Sequence, residues 1–226
     1  MPVVVAVNPK GGVGKTTAAL LLGTVLAERG ALVSLIDADP NRHLVAWRAG
    51  ASASPVKVIG DVEPGRLVSL IDAERRDRDL VIVDLEGTAS RMVGHAISRA
   101  DIVLVPLQAS AMDASQAWRA VQLVREEEEV LGRSISFRLL LTRTNPQIPT
   151  RAERMIVEDL AGAGVPALKT HLHQRTAFQA IFAYKLALHE LPASEVNGLP
   201  AALANAHALA AEVTETINSL FERVAA

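Results

Sequence analysis

A glycine-rich segment with two lysines lies near the start of the chain, in the sequence NPKGGVGKTT at 8–17. Glycines permit positive φ values and close approach of the backbone to a ligand, so successive N–H groups can point at phosphate oxygens. An apolar run precedes this segment and a helical pattern follows it, and the start of that helix adds a partial positive charge. The segment therefore predicts a phosphate-binding loop. Its nucleotide contacts are expected from Gly11, Gly12, Val13, Gly14, Lys15, Thr16 and Thr17.

The polar side chains of this loop have separate expected contacts. Lys15 is predicted to reach the β- and γ-phosphates, the Thr16 hydroxyl to ligate Mg²⁺, and Thr17 to contact the α-phosphate. ATP and Mg²⁺ are thus the expected cofactors. The alternative is a glycine-rich turn between a strand and a helix, with a solvated lysine.

Lys10 occupies a position where the ordinary phosphate-loop pattern has glycine, five residues before Lys15. Two lysines beside one triphosphate would repel each other within a single chain. A lysine supplied by a second subunit neutralises charge only when two ATP-loaded subunits meet. Lys10 therefore predicts a homodimer that forms with bound ATP; alternatively, it is an exposed charge at the end of a strand.

Acidic residues follow two later apolar runs. Asp37 and Asp39 are two residues apart, so in an extended chain they face the same side. Asp84 ends the run LVIVD and is predicted to hold Mg²⁺ through water. Gly87 follows in D-x-x-G spacing, and its N–H is expected to contact the γ-phosphate and to move upon hydrolysis. Asp37 and Asp39 can also cap a helix that starts near Pro40, and the two roles can coexist.

Short apolar runs alternate with helix-length segments and predict the elements that position these residues. The runs lie at 3–7, 32–36, 80–83, 102–105 and 137–141. They predict an α/β fold with a mostly parallel central sheet and helices on both faces, whose strand ends line one ligand crevice. A short strand and a turn are expected within 52–66. The strand pattern fades after about residue 165, where helices are expected at 174–184 and 199–224.

Composition restricts the class of protein further. The 226 residues are 50% apolar, which suits one domain over 1–226 with a helical C-terminal portion at about 174–226. The chain has no cysteine, which excludes disulfides, iron–sulfur clusters and thiol nucleophiles. Without a basic leader or an apolar segment of roughly 18 residues, it is expected to be intracellular and not inserted in a membrane. With a net charge of -2, any affinity for nucleic acid must come from a local patch.

NPKGGVGKTT resembles the deviant Walker A loop of the ParA/MinD partition and positioning ATPases, which are P-loop NTPases. The resemblance extends through DADPN at 37–41, VIVDLEG at 81–87 and LVPLQASAMD at 104–113. It covers most of the chain to about Tyr184 and is closest to small ParA-like proteins without an N-terminal DNA-reading domain. Many relatives have a proline after the aspartate that corresponds to Asp84; this chain departs from that pattern, and the pattern leaves Glu86 without a role.

The resemblance implies further roles for single residues. Lys10 is donated across the dimer interface, Asp39 orients the attacking water, and Asp37 supports the Mg²⁺ shell. Arg143, in LLTRTNP, corresponds to a region that contacts the adenine base. An arginine that forms a salt bridge or faces DNA is an equal alternative at that position.

The resemblance also implies sequence-independent DNA binding by the C-terminal region. Between Arg143 and Lys185 there are six basic residues and three acidic ones, an excess of three positive charges. Phosphate contacts of this kind do not read sequence; alternatively, these residues belong to a solvated helix face. The candidate DNA contacts are Arg151, Arg154, Lys169, Arg175 and Lys185.

Two other features of the sequence, a pair of histidines and the last helix, are not expected to bind a metal or a membrane. His171 and His173 have strand spacing but no third ligand nearby, so they are taken as ordinary polar histidines. The last helix has an apolar stripe at 213, 217, 220 and 224, but its polar face is mainly acidic and would be repelled by anionic lipid. We therefore expect this helix to dock on the sheet and the protein to have no membrane partner.

The expected function is that of a cytoplasmic, nucleoid-associated ATPase that dimerises with Mg·ATP and binds DNA non-specifically. Slow hydrolysis, stimulated by a ParB-like protein or another cargo adaptor, would release it. The cargo would be a plasmid, a chromosome or another large body. One alternative is a metabolic P-loop ligase of the dethiobiotin synthetase kind, and another is a nucleotide-gated scaffold that scarcely hydrolyses ATP.

Overall fold

The computed structural model describes residues 1–87, 91–145 and 147–225. The side chains at the end of the 104–113 motif are not part of the described structure. The same holds for the side chain of residue 224, which belongs to the apolar stripe of the last helix.

A seven-stranded sheet, in which every described pairing is parallel, forms the centre of the protein. Its strand order is β3-β2-β4-β1-β5-β6-β7, so β4 and β1 lie near the middle with their carboxyl ends side by side. The strands are β1 (Val3–Ala6), β2 (Val33–Ala38), β3 (Lys57–Ile59), β4 (Leu80–Leu85), β5 (Ile102–Gln108), β6 (Ser136–Thr144) and β7 (Leu172–His173).

Helices cover both faces of this sheet. The helices are α1 (Lys15–Glu28), α2 (His43–Arg48), α3 (Leu67–Asp77), α4 (Arg91–Ile97), α5 (Ala111–Leu131), α6 (Arg151–Gly162), α7 (Thr176–Tyr184) and α8 (Leu199–Ala225), with a 3-10 turn at Leu188–Glu190. Residues of α1, α2, α7 and α8 form one apolar core, and residues of α3, α4, α5 and α6 contact the other.

The strands divide their side chains between these two cores. In β1, Val4 belongs to the core on the α1 side, whereas Val3 and Val5 belong to the core on the opposite side. Because both faces are buried, the strands have no polar alternation, which is why they appear in the sequence as continuous apolar runs.

The predicted fold class is confirmed, and the short strand expected within 52–66 is β3. The edge strand β7 was not expected, since the pattern fades after residue 165. It has only two residues, and Leu172 and His173 pair with Thr142 and Thr144 of β6 across a register shift. A strand this short has no periodicity, so only backbone pairing reveals it.

The last helix docks on the sheet domain as expected. Val213 of α8 is fully buried, Ile217 is nearly so, and α8 packs against α1. None of the helices in the described part of the chain has the length and apolar character needed to cross a membrane.

The contact between α1 and β2 generates a stability prediction. A Cβ atom on Gly23 would lie 2.7 Å from Cδ2 of the fully buried Leu35. Gly23→Ala is therefore expected to lower the free energy of unfolding by about 1–2 kcal/mol through overpacking, as measured by urea denaturation. The matched control is Gly162→Ala at the end of α6, where an added Cβ meets nothing within 4 Å; it should leave stability unchanged or raise it slightly. Equal stabilities of the two variants would contradict this account of the interface.

Candidate functional site

The glycine-rich segment forms a loop between the end of β1 and the start of α1. Gly12 has φ 73° and Gly14 has φ 97°, values in the left-handed region where glycine is favoured. Gly14 is the N-cap of α1 and makes no side-chain cap hydrogen bond. The first N–H groups of α1 consequently have no side-chain cap and point toward the loop, an arrangement suited to an anion.

Neighbouring strands hold this loop in place. The Asn8 side chain donates from Nδ2 to the Pro106 carbonyl at 2.7 Å and accepts from the Lys10 N–H at 2.8 Å. The Thr142 hydroxyl, on β6, donates to the carbonyl of Val13 at 2.8 Å. Val13 is itself buried behind the loop, so its contribution is to anchor the backbone.

The Lys15 side chain lies inside the loop, with only 6% of its surface exposed. Its Nζ donates to the carbonyls of Asn8 at 3.1 Å and Lys10 at 3.2 Å. Burial lowers the pKa of Lys15, and three negative charges oppose that shift, those of Asp84, Asp39 and Glu86. The Lys15 ammonium group therefore lies close to three carboxylates.

Asp84 is the most deeply buried acid of the site. It is fully buried at the end of β4, and neither carboxylate oxygen has a hydrogen-bond partner of good geometry among the described residues. Burial, with a smaller contribution from the negative charges of Asp37 and Asp39, raises the pKa of Asp84 to about 7. The Thr16 hydroxyl is near enough to lower this pKa but does not satisfy either oxygen.

This donor set fits Mg²⁺. A buried carboxylate with open lone pairs and an adjacent hydroxyl are hard oxygen ligands, and Mg²⁺ in nucleotide sites uses one or two such groups together with waters and phosphates. The part of the chain that is described contains no group of three or more His, Cys, Asp or Glu arranged around a metal position. An all-protein metal cage is thus absent from that part.

Asp37 binds the first turn of α2 but is not its N-cap residue, which is Arg42. It is the register neighbour of Asp84 between β2 and β4, and its Oδ2 accepts a hydrogen bond of 2.9 Å from the Val45 N–H in the first turn of α2. The helix begins at His43, later than the expected start near Pro40. Burial raises the pKa of Asp37, and this backbone hydrogen bond counteracts the rise.

Asp39 lies further out, at the border of the cleft in front of the loop. Its Oδ1 accepts from both the backbone N–H and the side-chain amide of Asn41, each at 2.8 Å. These contacts hold the segment after β2 in a turn, which keeps the Asp39 carboxylate on the cleft side.

Gly87 is pressed against the backbone of the loop. A Cβ atom on Gly87 would lie 2.8 Å from the Pro9 carbonyl oxygen and 3.0 Å from the Gly11 nitrogen. Only glycine fits this contact, which explains the D-x-x-G spacing from Asp84 in physical terms. The segment after β4 is therefore packed directly against the backbone of the loop.

A cleft of about 460 Å³ brings most of the predicted nucleotide residues together. Asn41, His43 and Phe182 also border it and were missed by the sequence analysis. Asn41 and His43 were detectable as polar residues two and four positions after Asp39, whereas Phe182 comes from distant α7 and has no local signal. The lining residues are Gly11, Gly12, Gly14, Lys15, Thr16, Thr17, Asp39, Asn41, His43, Glu86, Gly87, Arg143 and Phe182.

Two predicted residues have distinct positions relative to this cleft. Lys10 is half-buried and does not belong to the described lining residues of its own chain's cleft. Arg143 does border the cleft, and it has φ 53° at the register shift between β6 and β7. Its role toward an adenine base stays a prediction.

The five candidate DNA contacts have different surroundings. Arg175 borders a smaller cavity beside Gly14 and Thr17. Lys185 follows α7, whereas Lys169 is next to Glu212, which accepts from its N–H at 2.7 Å. The last two, Arg151 and Arg154, lie in the first turn of α6. DNA binding by this set stays a prediction.

His171 and His173 lie side by side, and His173 makes ordinary polar contacts. Nδ1 of His173 is 2.8 Å from the Thr144 hydroxyl, and the backbone N–H of His173 donates to Oδ1 of Asn205 at 3.0 Å. His171 lies edge-on to His173, with ring centroids 6.5 Å apart. Burial lowers the pKa of both imidazoles.

A phosphate loop between β1 and α1, with acids at the ends of β2 and β4 of a parallel sheet, defines a P-loop NTPase. Comparison with known proteins identifies the family within this class. The family model described as "VirC1 protein" matches residues 1–220. The chain therefore belongs to the VirC1 family and, with it, to the ParA/MinD group of P-loop ATPases.

Individual relatives agree with this assignment. Protein ParA of Rhizobium radiobacter is 41% identical over 211 residues, 93% of this chain and 95% of that protein. The maintenance of carboxysome distribution protein A of Gloeobacter kilaueensis is 31% identical over 189 residues, 79% of this chain and 82% of that protein. The structure of McdA from Cyanothece has a TM-score of 0.74 at 17% identity, covers 91% of this chain and 99% of that chain, and supports the fold alone.

The unsatisfied carboxylate of Asp84 generates a prediction about the Mg²⁺ position. Because the folded pKa of about 7 lies above the ordinary 3.8, ionisation of Asp84 lowers the stability as the pH rises through this interval, and the penalty is complete above about pH 7. Asp84→Asn is expected to raise the thermal midpoint at pH 8 in EDTA, by an amount worth at most about 4 kcal/mol. The same variant should lose the stabilisation that Mg·ATP gives the parent. A lower midpoint in EDTA, or undiminished stabilisation by Mg·ATP, would contradict the prediction.

Proposed function

We propose that this chain is a Mg²⁺-dependent ATPase that dimerises with bound ATP and positions a cargo on DNA. The observation that carries the proposal is that Lys15, Thr16 and Asp39 line one cleft beside the open end of α1, with Asp84 buried close to all three. These groups complement the triphosphate, the metal and the attacking water. The family to which the chain belongs supports ATP hydrolysis as the reaction.

The chain's own residues have defined tasks in this reaction. Lys15 exchanges its two carbonyl partners for phosphate oxygens, and the first N–H groups of α1 bind the same charge. Thr16 would ligate Mg²⁺ and Asp84 would hold it through water, and the ion would supply positive charge that neutralises the phosphates. Asp39 orients the attacking water from the cleft border. Gly87, pressed on the loop, places its N–H near the γ-phosphate and moves when that phosphate leaves.

Lys10 connects nucleotide occupancy with dimerisation. Its own backbone N–H is bound to Asn8, and its side chain does not border the described part of its own cleft. A second subunit that approaches the open side of the cleft can offer its Lys10 to this triphosphate. The added cation offsets phosphate charge only in the ATP-loaded pair, so assembly depends on the bound nucleotide.

The DNA contacts are assigned to basic residues of the C-terminal half. A dimer doubles a weak patch, so binding without sequence preference gains strength from assembly. Arg175 is the central candidate because it borders a cavity next to the nucleotide loop. In the cell, such a protein resides on the nucleoid and is released when a ParB-like or other adaptor stimulates hydrolysis. The relative named for the maintenance of carboxysome distribution supports this class of cargo task.

Two substitutions test the ATPase and the dimer. Asp39→Ala is expected to bind ATP, to hydrolyse it at least about 100-fold more slowly and to accumulate as a dimer. Lys10→Ala is expected to bind ATP and remain monomeric. Phosphate release, measured with and without DNA, and light scattering report these outcomes.

Two results would count against this assignment. Turnover by Asp39→Ala at the parental rate would remove Asp39 from the reaction. A parent that binds ATP but releases no phosphate would favour the nucleotide-gated scaffold.

The DNA assignment has a separate test. Arg175→Glu is expected to weaken binding to non-specific duplex DNA about tenfold and to reduce its salt dependence, with ATP affinity unchanged. The matched control is Arg76→Glu on exposed α3, on the opposite face of the sheet, which should bind DNA like the parent. Equal DNA affinities of the two variants would place the DNA contacts elsewhere.

A further inference from the structure

Backbone strain is concentrated around the short helix α2. The described non-glycine residues with positive φ are Arg42, Asp61, Arg143 and Lys185. Arg42 immediately precedes α2 and forms an ion pair with Asp61, whereas Lys185 packs against Gly50 just beyond the helix. Such conformations persist only where the surrounding structure enforces them, and they often mark segments that switch.

The N-terminal end of α2 is joined to the nucleotide cleft. The segment DADPN at 37–41, here called the acid segment, leads into this helix. Asp37 accepts the Val45 N–H at 2.9 Å, and Asp37 lies beside the buried Asp84 in the sheet. Asn41 and His43 border the cleft itself. The acid segment and the first turn of α2 are therefore joined by a direct hydrogen bond.

The C-terminal end of α2 is joined just as tightly to the chain after α7. Trp47 is buried, and its Nε1–H donates to the Leu186 carbonyl at 3.1 Å. A Cβ atom on Gly50 would lie 2.8 Å from the carbonyl oxygen of Lys185. The two backbones are therefore in direct contact at this point.

The segment beyond α2 adds a second connection. Glu190, in the 3-10 turn, accepts hydrogen bonds of 2.6 Å from the Ser52 hydroxyl and from the Ala53 N–H. The same carboxylate accepts the Ala187 N–H at 2.6 Å. The chain at 52–53 and the chain at 185–190 are thus held as one unit.

We propose that α2 is a rigid connection between the acid segment and the end of α7, with Trp47 as its positioning residue. When nucleotide binding changes the acid segment, α2 carries the displacement to Lys185 and Leu186. The inference rests on the proposed function, because Lys185 is one of its DNA contacts. It adds the route by which the nucleotide state alters that surface.

Hydrogen exchange of the full-length protein tests this connection without DNA. In the parent, Mg·ATP is expected to change the amide exchange of residues 184–190 at least about twofold relative to Mg·ADP. Trp47→Phe removes the donor to Leu186 while keeping a large apolar ring, and it should abolish that difference. Its ATP affinity should stay within about twofold of the parent. Trp118→Phe is the matched control, since Trp118 is half-exposed on α5, and it should behave like the parent.

A second variant and a second readout separate coupling from folding. Ser52→Ala removes one of the hydrogen bonds to Glu190, together with the 3.2 Å hydrogen bond that the Ser52 hydroxyl accepts from the Ser54 N–H. It should reduce the ATP-dependent exchange difference in part. The ratio of DNA affinities with ATP and with ADP should fall about fivefold in Trp47→Phe.

The outcomes distinguish this inference from the function on which it rests. If Trp47→Phe binds ATP and keeps the parental exchange difference, the connection through Trp47 is wrong. If the parent binds ATP without any change at 184–190, the coupling is wrong even where hydrolysis and DNA binding are found. A parent that fails to hydrolyse ATP or to bind DNA contradicts the proposed function itself.

Discussion

The buried carboxylate of Asp84, whose oxygens have no hydrogen-bond partner among the described residues, is the constraint around which the site is organised. An ionised carboxylate is costly to bury, so its charge must be compensated by a cation or its pKa must rise. Here the pKa rises to about 7, even though the Lys15 ammonium lowers it. The fold thus retains an unfavourable charge at the end of a central strand, as expected where function and not stability selects the residue.

The remaining contacts of the site follow from this constraint. Lys15 has to be buried near Asp84, and it is held there by the carbonyls of Asn8 and Lys10. The loop that supplies these carbonyls must turn sharply, which requires the positive φ of Gly12 and Gly14. Gly87 then contacts the same loop from the other side. A ligand bound in the cleft would therefore contact the loop and the segments after β2 and β4.

Much of this site was predictable because its parts are local in sequence. The loop residues, Asp84 and Gly87 follow strands whose apolar runs are unmistakable, and parallel strands bring their carboxyl ends together. The contact of Asp37 with the start of α2 was predictable, although Arg42 and not an aspartate occupies the N-cap position. By contrast, Phe182 and β7 depend on the pairing of distant segments, and neither has a periodic pattern to indicate it. The roles assigned to Arg143 and to the basic residues are functional predictions that the fold alone does not test.

The sequence by itself determined the class of protein: its order of apolar runs, glycines, lysines and acids specifies a parallel sheet with a phosphate loop at the strand ends. The tertiary structure decided how the acid segment is tied to the C-terminal half. The contacts of Trp47 with Leu186 and of Gly50 with Lys185 join residues more than 130 positions apart. Local propensity carries no information on such pairs, because they arise from the way two helices pack on the same face of the sheet.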